Sequence, residues 1–83
     1  MTESSVNARA LIEHIAKALV EKKDAVFLDE YEDGDETVIE LEVAEEDMGR
    51  VIGRSGRVAR ALRAVLSAAG AKNDTRYALE ILE

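Results

Sequence analysis

Apolar residues change spacing along this chain from a helical period to a strand period and back, and this pattern limits the fold more than any other feature. From Ala8 to Leu19 they recur at intervals of three and four residues, which predicts one apolar face of a helix. Ser4 or Ser5 is placed to cap this helix, which we expect to run to about Lys22.

The next part of the chain has the pattern of two strands. Residues Ala25 to Tyr31 are rich in strand formers, and from Thr37 to Val43 apolar and acidic side chains alternate. Between them, Asp33-Gly34 is typical of a tight turn. Together the two segments predict a β-hairpin.

The second half of the chain predicts two helices and a last strand. The acids at 45–47 favour a helix N-terminus, and a short helix to about Ile52 follows. Gly53-Arg54-Ser55-Gly56 interrupts the helical pattern, which resumes from Arg57 to about Ala69. Residues 77–82 alternate again and predict a strand.

The resulting order of helix, strand, strand, helix, helix, strand is an α+β arrangement, with a three-stranded sheet covered on one face by three helices. The 83 residues predict a single domain, 1–83, and because only three of them are aromatic its core must be mainly aliphatic. Cysteine is absent, which excludes a disulfide framework. No apolar run has the length of a membrane span, and residues 1–5 lack the features of a signal peptide, so we expect a cytoplasmic location.

Charge is unevenly distributed along the chain. Residues 1–47 carry fifteen acids and four bases, whereas residues 48–73 carry six bases and no acid. Although the net charge is −7, a polyanion responds to the local field, so residues 48–73 are the predicted contact surface. The alternative is that these arginines only solvate a helix face.

The glycine loop at 53–56 is the strongest candidate for a binding site. Gly53 and Gly56 lack Cβ, which lets a sugar–phosphate backbone come close. Free N–H groups at the start of the next helix favour an anion, and Arg54 adds a positive charge. The same pattern also fits a helical turn in which glycine serves only the bend.

The helix after the loop has a predicted core stripe and a predicted pairing surface. The stripe comprises Val58, Leu62, Val65 and Ala69. The flanks carry Leu66 and small residues, and this smooth shoulder is either ordinary helix surface or a place where a second subunit approaches closely. The predicted dimer interface is Ala59, Leu62, Arg63 and Leu66.

The run Val51-Ile52-Gly53-Arg54-Ser55-Gly56-Arg57-Val58 resembles the signature of KH domains, whose GXXG loop clamps the backbone of single-stranded RNA. Residues of about 37–82 match the KH core, and the additional helix and strand at about 5–31 match the type II arrangement. Residues 43–63 more narrowly resemble the KhpA (YlqC) family of small bacterial single-KH-domain proteins. This similarity covers essentially the whole chain and implies a type II KH domain.

The resemblance implies which residues meet RNA. The loop would contact phosphates, its apolar neighbours would line or support the floor for bases, and residues 70–75, beyond a helix stop at Gly70, would border the groove. The implied RNA-binding residues are Arg50, Val51, Ile52, Gly53, Arg54, Ser55, Gly56, Arg57, Val58, Arg60 and Lys72. The implied partners are a second copy, a KhpB (Jag/EloR)-like protein, or both, with a link to cell elongation.

Two functions remain open: an RNA-binding module, and a protein-interaction subunit in which RNA binding is secondary. No phosphate-binding Gly-Lys-Ser/Thr loop or nucleophile–base pair is present, so we expect no enzymatic activity and no cofactor. Residues 29–40 partly resemble a calcium loop, but strands flank them where helices are required, so we expect no metal. His14 has no second histidine or cysteine and is predicted to pack rather than to ligate.

Overall fold

The computed structural model describes residues 6–82 and has the predicted order of elements. The elements are helix α1 (Ala8–Leu19), strand β1 (Phe27–Asp33), strand β2 (Glu36–Glu42), helix α2 (Met48–Ile52), helix α3 (Arg57–Asn73) and strand β3 (Arg76–Ile81). Short 3₁₀ turns lie at Lys23–Ala25, Glu45–Asp47 and Arg54–Gly56. Over residues 6–82, no helix has the length and apolarity needed to cross a membrane.

Strand β2 is the centre of the sheet, antiparallel to β1 and parallel to β3. Asp33 pairs with Glu36 across the turn at Gly34-Asp35, where Gly34 has a φ of +64°. The predicted hairpin is therefore confirmed. Strand β1 begins at Phe27, two residues later than predicted, because the 3₁₀ turn takes up Ala25.

Alternation along β2 determines which side of the sheet carries the core. Ile39 and Leu41 are fully buried under the helices, together with Ile12 of α1 and Leu66 of α3. The residues between them in the sequence, such as Glu40, project from the opposite face. The three helices therefore cover one face of the sheet and leave the other open.

Helix α1 is shorter than predicted. Asn7 caps it, because its Oδ1 accepts a hydrogen bond of 3.0 Å from the backbone N–H of Ala10. The predicted caps, Ser4 and Ser5, lie outside the described residues. The helix ends at Leu19, not at Lys22.

Helix α3 is longer than predicted and continues through Gly70 to Asn73. Gly70 is not a stop signal, since a Cβ built there would lie 2.4 Å from the carbonyl oxygen of Thr75. Glycine is needed at this position for close packing against the returning chain. The helix ends at Asp74, which has a positive φ of +53°.

The side chain of Asn73 holds the first described residue against the end of α3. Its Oδ1 accepts a hydrogen bond of 2.7 Å from the N–H of Val6, and its Nδ2 donates one of 2.6 Å to the Val6 carbonyl oxygen. Nδ2 also donates to the hydroxyl oxygen of Tyr77 at 2.9 Å. One amide thus connects Val6, near the start of the chain, with the end of α3 and the start of β3.

The buried face of α3 differs from the predicted stripe, and this corrects the predicted dimer interface. Ala59, Leu62 and Leu66 are buried in the core of the single chain, whereas Val58 and Val65 are only partly buried. Helix α3 packs against β3, α2 and α1, so its buried arc is set by three neighbours. The three residues are therefore not available to a partner, and only the fourth predicted residue, Arg63, is exposed.

Candidate nucleic-acid interface

The loop between α2 and α3 has a backbone that is unusual at three of its four positions. Gly53 adopts φ +79° and ψ +166°, Ser55 φ +56° and ψ +25°, and Gly56 φ +74° and ψ +18°. Glycine adopts these conformations without steric cost, whereas they are uncommon for serine. The loop therefore has a specific folded shape.

Gly53 is needed for contact with α3 as well as for its backbone angles. A Cβ at this position would lie 2.6 Å from Val58 Cγ2 and 2.7 Å from the Val58 backbone nitrogen. The nitrogen cannot move without displacing the first turn of the helix. Gly53 therefore lets the loop lie directly on α3.

The cations around the loop lack acidic partners. Within residues 6–82, five bases form ion pairs with acids, namely Arg9, Lys17, Lys22, Arg50 and Arg76. Arg54, Arg57 and Arg60 are exposed and form none with the described acids. Arg60 Nη1 donates a hydrogen bond of 2.8 Å to the carbonyl oxygen of Ser55. The loop therefore carries positive charge that the described chain does not neutralise.

Arg50, a predicted RNA-binding residue, is instead engaged with acids. Its Nη1 donates to Asp47 Oδ1 at 2.9 Å, and its Nη2 lies 3.6 Å from Glu21 Oε2. A guanidinium held by two carboxylates is a weaker ligand for phosphate, and contact of Arg50 with RNA stays a prediction.

Asp47 is an almost fully buried acid that the sequence analysis treated only as a helix-start signal. Its Oδ2 accepts a hydrogen bond of 3.0 Å from the N–H of Lys22, and its Oδ1 accepts one of 3.2 Å from the N–H of Glu21. These bonds, led by that of Lys22, and the adjacent Arg50 hold the pKa of Asp47 below its ordinary value. The carboxylate thereby joins the chain after α1 to the start of α2, which leads into the loop.

An apolar groove of about 720 Å³ adjoins the loop at Ile52. Val43, Met48, Ile52 and Leu82 supply its apolar lining, and Glu42 and Glu45 complete it. Ile52 is partly buried and can be touched from the groove. Val51 is fully buried in the core and is not exposed in the groove.

Lys72 and the predicted loop at 70–75 are not beside the glycine loop. Residues 70–73 belong to α3, which leaves only Asp74 and Thr75 as connection. Lys72 is exposed on the last turn of α3, about 22 Å along the axis from Arg57 at 1.5 Å per residue. The cationic cluster at the loop therefore consists of Arg54, Arg57 and Arg60.

The structure gives no support to a metal site among residues 6–82, where no group of three histidine or acidic side chains could hold an ion. Asp29 and Glu40, the ends of the possible calcium loop, are paired residues of the hairpin strands β1 and β2. His14 is exposed on α1, so the prediction that it packs is wrong.

A family model and individual proteins of known sequence indicate the same family for this chain. A family model described as the KH domain of KhpA/KhpB matches residues 9–81. The RNA-binding protein KhpA of Borreliella burgdorferi is 48% identical over 77 residues, which is 93% of this chain and 94% of that protein. That of Halalkalibacterium halodurans is 48% identical over 75 residues, 90% of this chain and 99% of that protein. That of Aquifex aeolicus is 49% identical over 73 residues, which is 88% of this chain and 92% of that protein. No solved structure matches.

Proposed function

The chain belongs to the family of KhpA/KhpB KH domains, and on this basis we propose that it binds single-stranded RNA at the loop between α2 and α3. The predicted type II KH order of elements is confirmed by the fold. The observation that carries the proposal is the group of Arg54, Arg57 and Arg60 around a glycine loop, without a described acid to neutralise them. The relatives are themselves named RNA-binding proteins, and none of the three names describes an enzyme.

The loop supports contact with the sugar–phosphate backbone. A Cβ at Gly56 would lie 3.4 Å from Arg60 Nη1, so its absence lets a phosphate group approach this guanidinium closely, whereas the space beside Gly53 is filled by Val58. No side chain caps the N-terminus of α3, and although the N–H of Arg57 donates to the carbonyl oxygen of Arg54, the positive end of the helix dipole favours an anion here. Backbone donors and three guanidinium groups then act on the same phosphates.

The groove next to the loop supports contact with bases. Ile52, Met48 and Leu82 offer an aliphatic surface that continues from the loop. The hydroxyl oxygen of Tyr77 accepts a hydrogen bond from Asn73 at the end of α3 that is far from the groove. The Tyr77 ring is therefore not placed to stack on bases in the groove. The groove offers aliphatic contact without aromatic stacking, and Glu42 and Glu45 beside it repel phosphates. We therefore expect a modest affinity for RNA.

Fluorescence anisotropy of a labelled single-stranded RNA tests the proposal. The double variant Arg54→Asp, Ser55→Asp should lose binding, because it reverses the charge of the loop while Asp tolerates a positive φ. The matched control Arg9→Asp, Ala10→Asp changes net charge by the same amount on exposed positions of α1 and should bind as the wild type does. Equal loss in both variants would mean that only total charge matters, and the proposed site would be wrong.

Salt dependence gives a second, independent measure. Three phosphate contacts predict a slope of about −2 in log affinity against log salt, since each contributes about −0.7 on a single strand. Affinity should then fall about 20-fold between 50 and 200 mM salt. A fourth contact, from Lys72, would give a slope of about −3 instead.

A second candidate function is pairing with another chain through α3. Ala61, Ala64 and Ala68 are exposed on this helix and lie three and four residues apart, so a second backbone could approach closely. The predicted second copy and KhpB-like protein are the candidates for this surface. Sedimentation equilibrium of the wild type beside Ala64→Arg, alone and with a KhpB-like protein, tests it. If the wild type stays monomeric when alone and also does not associate with the KhpB-like protein, this candidate function is contradicted.

A further inference from the structure

The open face of the sheet carries most of the exposed large apolar side chains. Within residues 6–82 four such side chains are exposed, and three of them, Phe27, Tyr31 and Leu82, belong to this face. Their exposed fractions are 60%, 39% and 39%. Register places Phe27 opposite Glu42 and Tyr31 opposite Val38, on the side away from the helices. The N–H of Leu82 bonds to the carbonyl oxygen of Leu41, so Leu82 extends this face beyond β3.

Three carboxylates form a row across the same face. Asp29 of β1 is directly opposite Glu40 of β2, and Glu40 is directly opposite Glu80 of β3. None of the three forms an ion pair with a described base. Like charges at directly opposed positions destabilise a sheet. The row is therefore a cost to the isolated domain.

The rest of the face has the same sign of charge. Its ionised residues are Asp29, Asp33, Glu36, Glu40, Glu42, Glu80 and Arg76. The guanidinium of Arg76 already lies 3.4 Å from Asp35. Partial burial, with the carboxylates of Glu80 and Glu40, raises the pKa of Tyr31, as is expected for a phenol within this field. Exposed apolar side chains and unbalanced negative charge thus lie on the same surface.

The negative charge of this surface indicates which kind of partner it can bind. RNA is excluded because its phosphates would face six carboxylates and one arginine. A second copy docked through the same face would oppose one acid row to another. A cationic protein segment satisfies both the acids and the exposed apolar side chains, since a lysine or arginine stem covers apolar surface while its charged end meets a carboxylate.

We propose that the open sheet face, from Phe27 through the row Asp29, Glu40 and Glu80 to Leu82, docks a basic segment of another protein. The partner places lysine or arginine side chains on the acid row and an aliphatic or aromatic side chain between Phe27 and Tyr31. The acid row at the centre of this surface lies on the side of the sheet away from the helical layer that carries the glycine loop, whereas Glu42 and Leu82 at its edge also line the groove beside that loop.

The probe is a fluorescein-labelled synthetic decapeptide of alternating lysine and valine, with alternating glutamate and valine as its control. Anisotropy gives the affinity, and ¹H–¹⁵N spectra of the labelled protein give the location. The basic peptide should bind and shift the amides of β1, β2 and β3, and the acidic peptide should not bind. Shifts centred on α3 or the glycine loop would overturn the proposal.

Two variants separate apolar contact from charge, and a third is their control. Phe27→Ser keeps the charge, Glu40→Gln keeps the shape, and each should weaken the peptide about threefold to fivefold. Asp74→Asn neutralises an exposed acid outside this face, at a positive φ that asparagine tolerates, and should leave affinity unchanged.

Three results would overturn the proposal. Equal weakening by Glu40→Gln and Asp74→Asn, with no effect of Phe27→Ser, would show diffuse attraction to an acidic protein. Shifts of the amides of Asp29, Tyr31 and Glu80, which do not line the groove beside the loop, on adding single-stranded RNA would make RNA the occupant. Shifts of the same amides with protein concentration, in the absence of peptide, would make it a second copy.

Discussion

The guanidinium of Arg60 holds the glycine loop through the carbonyl oxygen of Ser55, which accepts a hydrogen bond of 2.8 Å from Nη1. Ser55 is the loop residue that adopts a left-handed conformation without being glycine. The bond therefore stabilises an unfavourable backbone from the first turns of α3. Arg60 thus has two roles in the proposed site: it shapes the loop and adds charge to it.

Arg60→Ala should weaken RNA binding about fivefold, since a lost hydrogen bond of this kind is worth about 1 kcal/mol. Arg60→Lys should retain part of the affinity, because it keeps the charge but not the geometry. Anisotropy at 50 mM salt measures both. Arg9→Ala, which removes an exposed arginine from α1, should have little effect. If it weakens binding as much as Arg60→Ala, the local role of Arg60 is wrong.

Gly53→Ala and Gly49→Ala should have opposite effects on stability. At Gly53 a Cβ meets the Val58 nitrogen at 2.7 Å and φ is +79°, so we expect a loss of about 2 kcal/mol. At Gly49, inside α2, nothing lies within 4 Å, so alanine should add about 0.5–1 kcal/mol through its higher helix propensity. Urea unfolding measures both free energies. Equal changes of the same sign would contradict the described loop geometry.

Asp47→Asn should lower the melting temperature at neutral pH and much less in acid. The pKa of Asp47 in the folded protein lies below its ordinary value of 3.8. Its stabilisation is therefore fully present above pH 3.8 and is lost as the pH falls through the lower folded value. Thermal melts from pH 7 to pH 2 should show the wild-type advantage shrinking below about pH 4. Asp24→Asn, at an exposed acid, is the control, and an advantage independent of pH would contradict this role.

Glu40→Gln should stabilise the isolated domain by about 0.2–1 kcal/mol, more at low salt than at high salt. The reason is that Glu40 is between Asp29 and Glu80 in the row of like charges. Urea titrations at two salt concentrations measure the effect. A loss of stability would mean that the row does not cost the fold anything.

Local signals in the sequence predicted the order of the elements. Strand β2 was clear from the alternation of Ile39 and Leu41 with acids, and Gly34 marked the turn before it. The predicted core stripe of α3 left out Leu66, which is buried, because three neighbours, β3, α2 and α1, determine which arc of this helix is buried. Periodicity identifies an apolar stripe but does not say how many elements pack on it.

The parts of the site that sequence reasoning missed depend on contacts between distant residues. Asp47 accepts from the N–H groups of Glu21 and Lys22, more than twenty positions away, and Asn73 binds Val6 across most of the chain. Asp47 is the last of three acids before a short helix, and all three look like simple helix-start residues. Its spacing along the chain carries no sign of such a partner.

The opposition of a cationic loop in the helical layer and an acidic sheet face gives this small protein an electric dipole. In the field of a polyanion such a molecule rotates during its diffusional approach, so that its glycine loop faces the polyanion and its acidic sheet face points away. Encounters should therefore be productive more often than the net charge of −7 suggests. Added salt should slow association before it shortens the life of the complex.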